Sequence, residues 1–152
     1  MTIGPRVFTW GARTYIMGVI NTSPESFSGD GLRTADEAVA QALRMADERA
    51  DILDIGGQST RPGAVKSEAG FDELDPAEEI RRVLPVIARL REALPSMPLS
   101  VDTYKPDVAR EAIAAGAHII NDIEGLRRDP AMTRVAAEAS VPVVIMHNQR
   151  GR

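Results

Sequence analysis

The chain contains no cysteine, which excludes a disulfide framework and any thiolate metal site. This suits a reducing compartment, and we expect the cytoplasm. Its charge is mixed, with a formal net of -4 and no basic block. That argues against nucleic acid as a partner. No apolar run approaches the ~20 residues that a membrane span requires. The N-terminus lacks the charged and apolar regions of a signal peptide. Low-complexity segments and linkers are also missing. The 152 residues are therefore expected to form one domain, 1–152, long enough to bury a core.

Against these absences one stretch stands out: Asp54-Ile55-Gly56-Gly57-Gln58-Ser59-Thr60-Arg61-Pro62-Gly63. The apolar run 52–55 ends in two glycines and reads as a buried parallel strand. Gly56 and Gly57 let backbone approach a ligand. Ser59 and Thr60 offer hydroxyls, and Arg61 offers a planar fork for phosphate or carboxylate.

The same layout recurs along the chain. Residues 6–10 and 13–20 read as extended, with Gly11-Ala12 as a hairpin turn between them. A polar loop, 21–31, follows. Thr34 and Glu37 form a capping box for a helix ending near Arg49. Residues 64–75 are polar. Asp75-Pro76 opens a helix over 76–94, with a kink expected at Pro85. The remaining strands read as 98–102, 118–122 and 142–146. Helices begin near Pro106, ending at Gly116, and at Asp129-Pro130.

Strands alternating with helices imply a parallel sheet built by right-handed crossovers. It is either a doubly wound sheet or part of a (β/α)8 TIM barrel. Every strand carries polar residues at its carboxyl end: Asn21, Gly56-Gly57, Asp102, Asn121-Asp122 and His147. In a barrel these converge on one rim, whereas a doubly wound sheet gathers only those near its switch point. The pattern favours the barrel. The expected architecture is α/β, with about strands one to five of a barrel, four helices and an N-terminal hairpin.

The segments 17–21 (Met-Gly-Val-Ile-Asn), 23–28 (Ser-Pro-Glu-Ser-Phe-Ser), 54–63, 100–103 (Ser-Val-Asp-Thr), 119–123 (Ile-Ile-Asn-Asp-Ile) and 144–147 (Val-Ile-Met-His) form a linked set of motifs. Together they resemble dihydropteroate synthase, a pterin-binding enzyme family of folate synthesis. They run in order with family-like spacing and look like the first half of that family's barrel. The resemblance implies a transferase that joins 4-aminobenzoate to a dihydropterin methyl diphosphate and releases pyrophosphate. Mg²⁺ would help neutralise the leaving group. By resemblance Asn21 is the magnesium-site residue, a neutral oxygen ligand suited to a hard cation. Asp102 and Asn121 would line the pterin pocket, and Met146 would lie against the flat ring. Thr60 and Arg61 would act in catalysis on the diphosphate and aminobenzoate side. His118 and His147 receive no role, because no zinc-binding spacing accompanies them.

The sequence also departs from the family pattern. Glu25 stands where the family has aspartate, and Arg49 where it has glycine at a helix end. Strands six to eight, with their anion-gripping groups, have no counterpart here. The expectation is a chain inactive alone that either self-associates or pairs with a chain supplying those strands. Val19, Ile55, Val101, Ile120 and Ile145 are expected to include the inner-face residues left uncovered. Two alternatives are a non-catalytic pterin-binding half-barrel and a pterin-dependent methyltransferase domain. Gly57-Gln58-Ser59-Thr60-Arg61-Pro62 speaks against the latter.

Overall fold

The computed structural model describes residues 1–22, 35–58 and 74–147. Short strands β1 (Thr2–Ile3) and β2 (Arg6–Val7) form an antiparallel pair. Then follow β3 (Met17–Asn21), α1 (Ala35–Asp47), β4 (Ile52–Gly56), α2 (Pro76–Ala93), β5 (Leu99–Asp102), α3 (Pro106–Ala114), β6 (Ile119–Asp122), α4 (Ala131–Ala139) and β7 (Val143–Ile145). Strands β3 to β7 pair in parallel in sequence order. Helices α1 to α4 likewise touch in sequence order. A doubly wound sheet must reverse its strand order and put helices on both faces. One continuous core here joins residues of all four helices to the sheet, so the arrangement is barrel-type.

Local signals account for the helix ends. Asp75 caps α2 by accepting from Ala77 N at 2.8 Å, with Pro76 in the first turn. The helix continues through Pro85. Asp129 Oδ1 accepts from Ala131 N at 2.8 Å at the start of α4. The Thr34 half of the expected capping box lies outside the described residues.

Helices α1 and α3 end in the same motif. Ala50 N bonds Met45 O and Arg49 N bonds Ala46 O; Ala117 N bonds Ala112 O and Gly116 N bonds Ile113 O. The motif requires a left-handed residue. Gly116 supplies it at φ +113° and Arg49 at φ +74°. A side chain there costs roughly 1–2 kcal/mol, partly offset by glycine's greater freedom when unfolded. Arg49→Gly is therefore expected to stabilise the chain by about 0.5–1 kcal/mol, a rise of roughly 1–4 °C in melting temperature. A lower melting temperature would contradict this account.

Strand alternation sorts the sheet into two faces. Ile20, Ile55, Val101 and Ile120 pair across neighbouring strands and are fully buried in the helix-side core. The opposite face carries Val19, Asp54, Ser100 and Ile119 in one row, with Met17 and Ile52 below. This corrects the expected inner-face set. Ile55, Val101 and Ile120 face the helices, as does Ile145 by its alternation with Val143. Val19, 57% exposed, is the one member on the inner face. A strand buried on both sides has no polar alternation to reveal its orientation.

The N-terminus is a second correction. The hairpin turns at Gly4, φ +52°, and Pro5, not at Gly11-Ala12, and 13–16 is not a strand. Burial decides this. The short hairpin places Ile3 and Phe8 against Ile52 and Ile119, closing the lower end of the inner face. Gly4 lies against the His118 ring, where a Cβ would fall 2.3 Å from Cδ2.

Candidate active site

The carboxyl ends of the strands carry the chemistry. Asn21, Gly56, Asp102, Asn121 and Val144 pair successively across five strands. Alternation therefore puts the Asn21, Asp102 and Asn121 side chains on one face in one row. Met146 continues the alternation of Val144 past the end of β7, and its N–H donates to Asp122 O at 3.2 Å. It is 41% exposed, a rim residue and not core. Thr60 and Arg61 lie outside the described residues. His118 sits at the opposite end of the sheet, where Nδ1 accepts from Leu99 N at 3.1 Å. Burial, helped by the charge of Arg91, holds its pKa below the ordinary value. It has a structural place, and His147 is exposed beyond β7.

Below this row lies a residue the sequence reading left out. Asp54, 2% exposed, is one row deeper on the same face. Its Oδ2 accepts from Asn121 Nδ2 at 2.9 Å. This uses one of the two N–H donors of Nδ2 and fixes the amide's orientation, leaving the carbonyl oxygen of Asn121 as its acceptor for a ligand. Asp54 Oδ1 and Ser100 Oγ are buried without a hydrogen-bond partner among the described residues. Burial pushes the Asp54 carboxyl above its ordinary pKa, while Ser100 and Asn121 pull it partly back. The available signal was an acid inside the apolar run Ile52-Leu53-Asp54-Ile55.

Asp102 is strongly perturbed. Burial pushes its carboxyl up to about 7, and the charges of Asp54, Glu79 and Asp122 push the same way. A partly open carboxyl held near neutrality is a common sign of a binding or catalytic position. Asp122 itself turns away: its oxygens accept from Glu124 N and Leu126 N, both at 2.8 Å, and organise the following loop.

Gly56 and Gly57 differ in purpose. A Cβ on Gly56 would meet the Asp102 carboxylate at 3.4 Å, an ordinary contact. On Gly57 it would meet Glu79 Cγ at 2.8 Å and Val83 Cγ1 at 3.0 Å. Gly57 is thus needed for close packing against α2.

The described residues hold no cluster of three or more His, Cys, Asp or Glu able to cage a metal. One neutral rim oxygen from Asn21 fits instead a magnesium carried largely by a diphosphate and water, which is how this ion is commonly held. Among the described residues no helix is long and apolar enough to cross a membrane.

Sequential parallel strands with a polar row at their carboxyl ends define a TIM-barrel-type α/β enzyme fold, whose ligands bind at that rim. The pterin binding enzyme family profile matches residues 17–152, and the chain belongs to this family. Dihydropteroate synthase of Clostridium beijerinckii is 46% identical over 150 residues, covering 98% of this chain and 53% of that protein. The Xanthomonas albilineans dihydropteroate synthase structure with 4-aminobenzoic acid matches with a TM-score of 0.79 and 48% identity, over 91% of this chain and 48% of that one. The Clostridium difficile enzyme, solved in the presence of pteroic acid, matches with a TM-score of 0.83 and 47% identity, over 95% and 52%. The chain spans about half the length of the curated relatives it matches.

Proposed function

We propose that this chain provides the pterin-binding part of a dihydropteroate synthase acting in cytoplasmic folate synthesis. The observation that carries the reading is the in-register row of Asn21, Asp102 and Asn121, with Asp54 fixing the Asn121 amide from below. The donor-rich edge of a pterin matches the Asp102 carboxylate and the freed Asn121 carbonyl. Met146 offers a polarisable side chain to the ring. Pairing favours the charged form of Asp102, so binding below pH 7 should release a proton and weaken as pH falls.

In the reaction, the bond from the pterin methylene carbon to the diphosphate oxygen breaks, and its electron pair leaves with pyrophosphate. The amine nitrogen of 4-aminobenzoate supplies the pair for the new C–N bond and then loses a proton. Thr60 and Arg61 are assigned to the diphosphate and aminobenzoate side. Asn21 would hold a magnesium ion, which when bound supplies charge neutralisation to the leaving group. Asp102 and Asn121 orient the ring, and Asp54 keeps Asn121 in the required rotation.

Two measurements test this in the enzyme assembled with strands six to eight. Calorimetric titration with a pterin should show binding, and pyrophosphate release should follow with both substrates present. Binding without release would identify the non-catalytic pterin-binding reading. Arg61→Ala should lower turnover and aminobenzoate use while leaving pterin affinity within about twofold. A turnover number equal to the parent's with both substrates saturating would remove Arg61 from catalysis.

A further inference from the structure

Lys105 is 5% exposed and Glu79 1% exposed, yet neither belongs to the rim row. Lysine and glutamate are almost never this buried unless paired. Here Lys105 Nζ donates to Glu79 Oε2 at 2.6 Å, Gln58 Oε1 at 2.7 Å and Leu74 O at 2.5 Å. An ammonium has three N–H donors, and each has an acceptor. A buried ion pair seldom adds stability over a well-packed apolar pair of similar volume. The pair therefore calls for a further explanation, and the other two acceptors supply it.

Gln58 and Leu74 flank residues 59–73 on either side. The same ammonium holds both. Leu74 is engaged through both backbone groups, since its N–H also donates to Gln58 Oε1 at 3.3 Å. Tyr104 OH donates to Gln58 Oε1 at 3.2 Å. Arg82 Nη1 donates to Gly57 O at 3.2 Å, while Gly57 packs tightly on Glu79. Lys105 is itself fixed at the β5–α3 connection, where its backbone N–H donates to Thr103 Oγ1 at 3.2 Å. That connection begins just after Asp102 of the rim.

We propose that Lys105 is a positioning residue that ties Gln58 and Leu74, the two residues flanking 59–73, to the β5 rim. Lysine suits this better than arginine, whose planar fork does not send donors to three acceptors in different directions. Thr60 and Arg61 lie two and three residues past Gln58, so the clamp sets where that end of their segment starts. This last step rests on the synthase reading.

The test separates clamping from mere core packing. In the chain, Lys105→Met combined with Glu79→Met removes both charges and keeps the volume. The double variant should melt close to the parent. Its Leu74 amide should exchange hydrogen at least about tenfold faster, the loss expected for charge-assisted hydrogen bonds. The Ile55 and Val101 amides of the core should be unchanged. Leu74 exchange within about twofold of the parent's would overturn the clamp, as would equal acceleration at all three amides. Should the double variant not fold, Gln58→Leu decides: it keeps the Lys105–Glu79 pair, leaves one Lys105 N–H without its acceptor, and must accelerate exchange at the Leu74 amide more than at Ile55 and Val101. In the assembled enzyme, the double variant should raise the aminobenzoate KM or lower kcat by about tenfold, with pterin affinity held within about twofold. Local release of Leu74 without that kinetic change would uphold the contact of Lys105 with the flanking residues and overturn its positioning role toward Thr60 and Arg61.

Discussion

At pH 8, Asp102→Asn is expected to stabilise the folded chain and, in the assembled enzyme, to weaken pterin binding, both for one reason. The folded protein holds this carboxyl near 7, against an ordinary value of 3.8. Between those values the folded state binds more proton than the unfolded state, so stability falls as pH rises. The penalty is absent below about pH 4 and complete above about pH 7. Three pKa units correspond to about 4 kcal/mol at most. Asp102 retains some exposure, which reduces this, and a gain of roughly 1–3 kcal/mol at pH 8 is expected. At pH 4 the two proteins should melt nearly alike. Asparagine cannot present a charged acceptor to the pterin. Hydrogen bonds to charged groups contribute roughly 1.5–3 kcal/mol, about ten- to hundredfold in affinity. Melting curves at the two pH values and calorimetry with pterin check both parts. A stability difference independent of pH would refute the linkage. Affinity within about twofold of the parent would refute the binding role.

The second large effect concerns Lys105→Met alone. It strands the Glu79 carboxylate, which is 1% exposed and bonded to Lys105 Nζ at 2.6 Å. Removing one partner of a buried ion pair costs about 3–5 kcal/mol. A domain's whole margin is about 5–15 kcal/mol, so the single variant should be severely destabilised in chemical denaturation. Adding Glu79→Met should recover most of the loss. A single-variant loss below about 1 kcal/mol would contradict this account.

Much of the fold was open to sequence reading because it rests on short-range chemistry. Asp75-Pro76 can start a helix anywhere, since the carboxylate satisfies a free N–H and proline needs none. Gly116 marks the end of α3 because a left-handed residue is needed one step past the helix. The rim row was legible too. Asn21, Asp102 and Asn121 each follow an apolar run, and polar residues at strand ends in successive units point to one barrel rim.

Other features depend on contacts between distant parts of the chain. Gly11-Ala12 and Gly4-Pro5 both carry turn chemistry, and burial of Ile3 and Phe8 against Ile52 and Ile119 chose the second. Ile55, Val101 and Ile120 are apolar on strands whose neighbours are also apolar, so no alternation shows which way they point. Asp54 looked like an isolated acid until Asn121, 67 residues away, donated to it.

The amino-acid order by itself determined the succession of strands and helices, most of their ends and the residue types at the rim, because capping, turn formation and strand-end polarity act over a few residues. Only the tertiary structure decided which strand face meets the helices, which hairpin forms and what charge Asp102 carries. It alone joined Lys105 to Gln58, Leu74 and Glu79. Burial, and the interaction of charges brought together by it, depend on neighbours that the linear order does not place side by side.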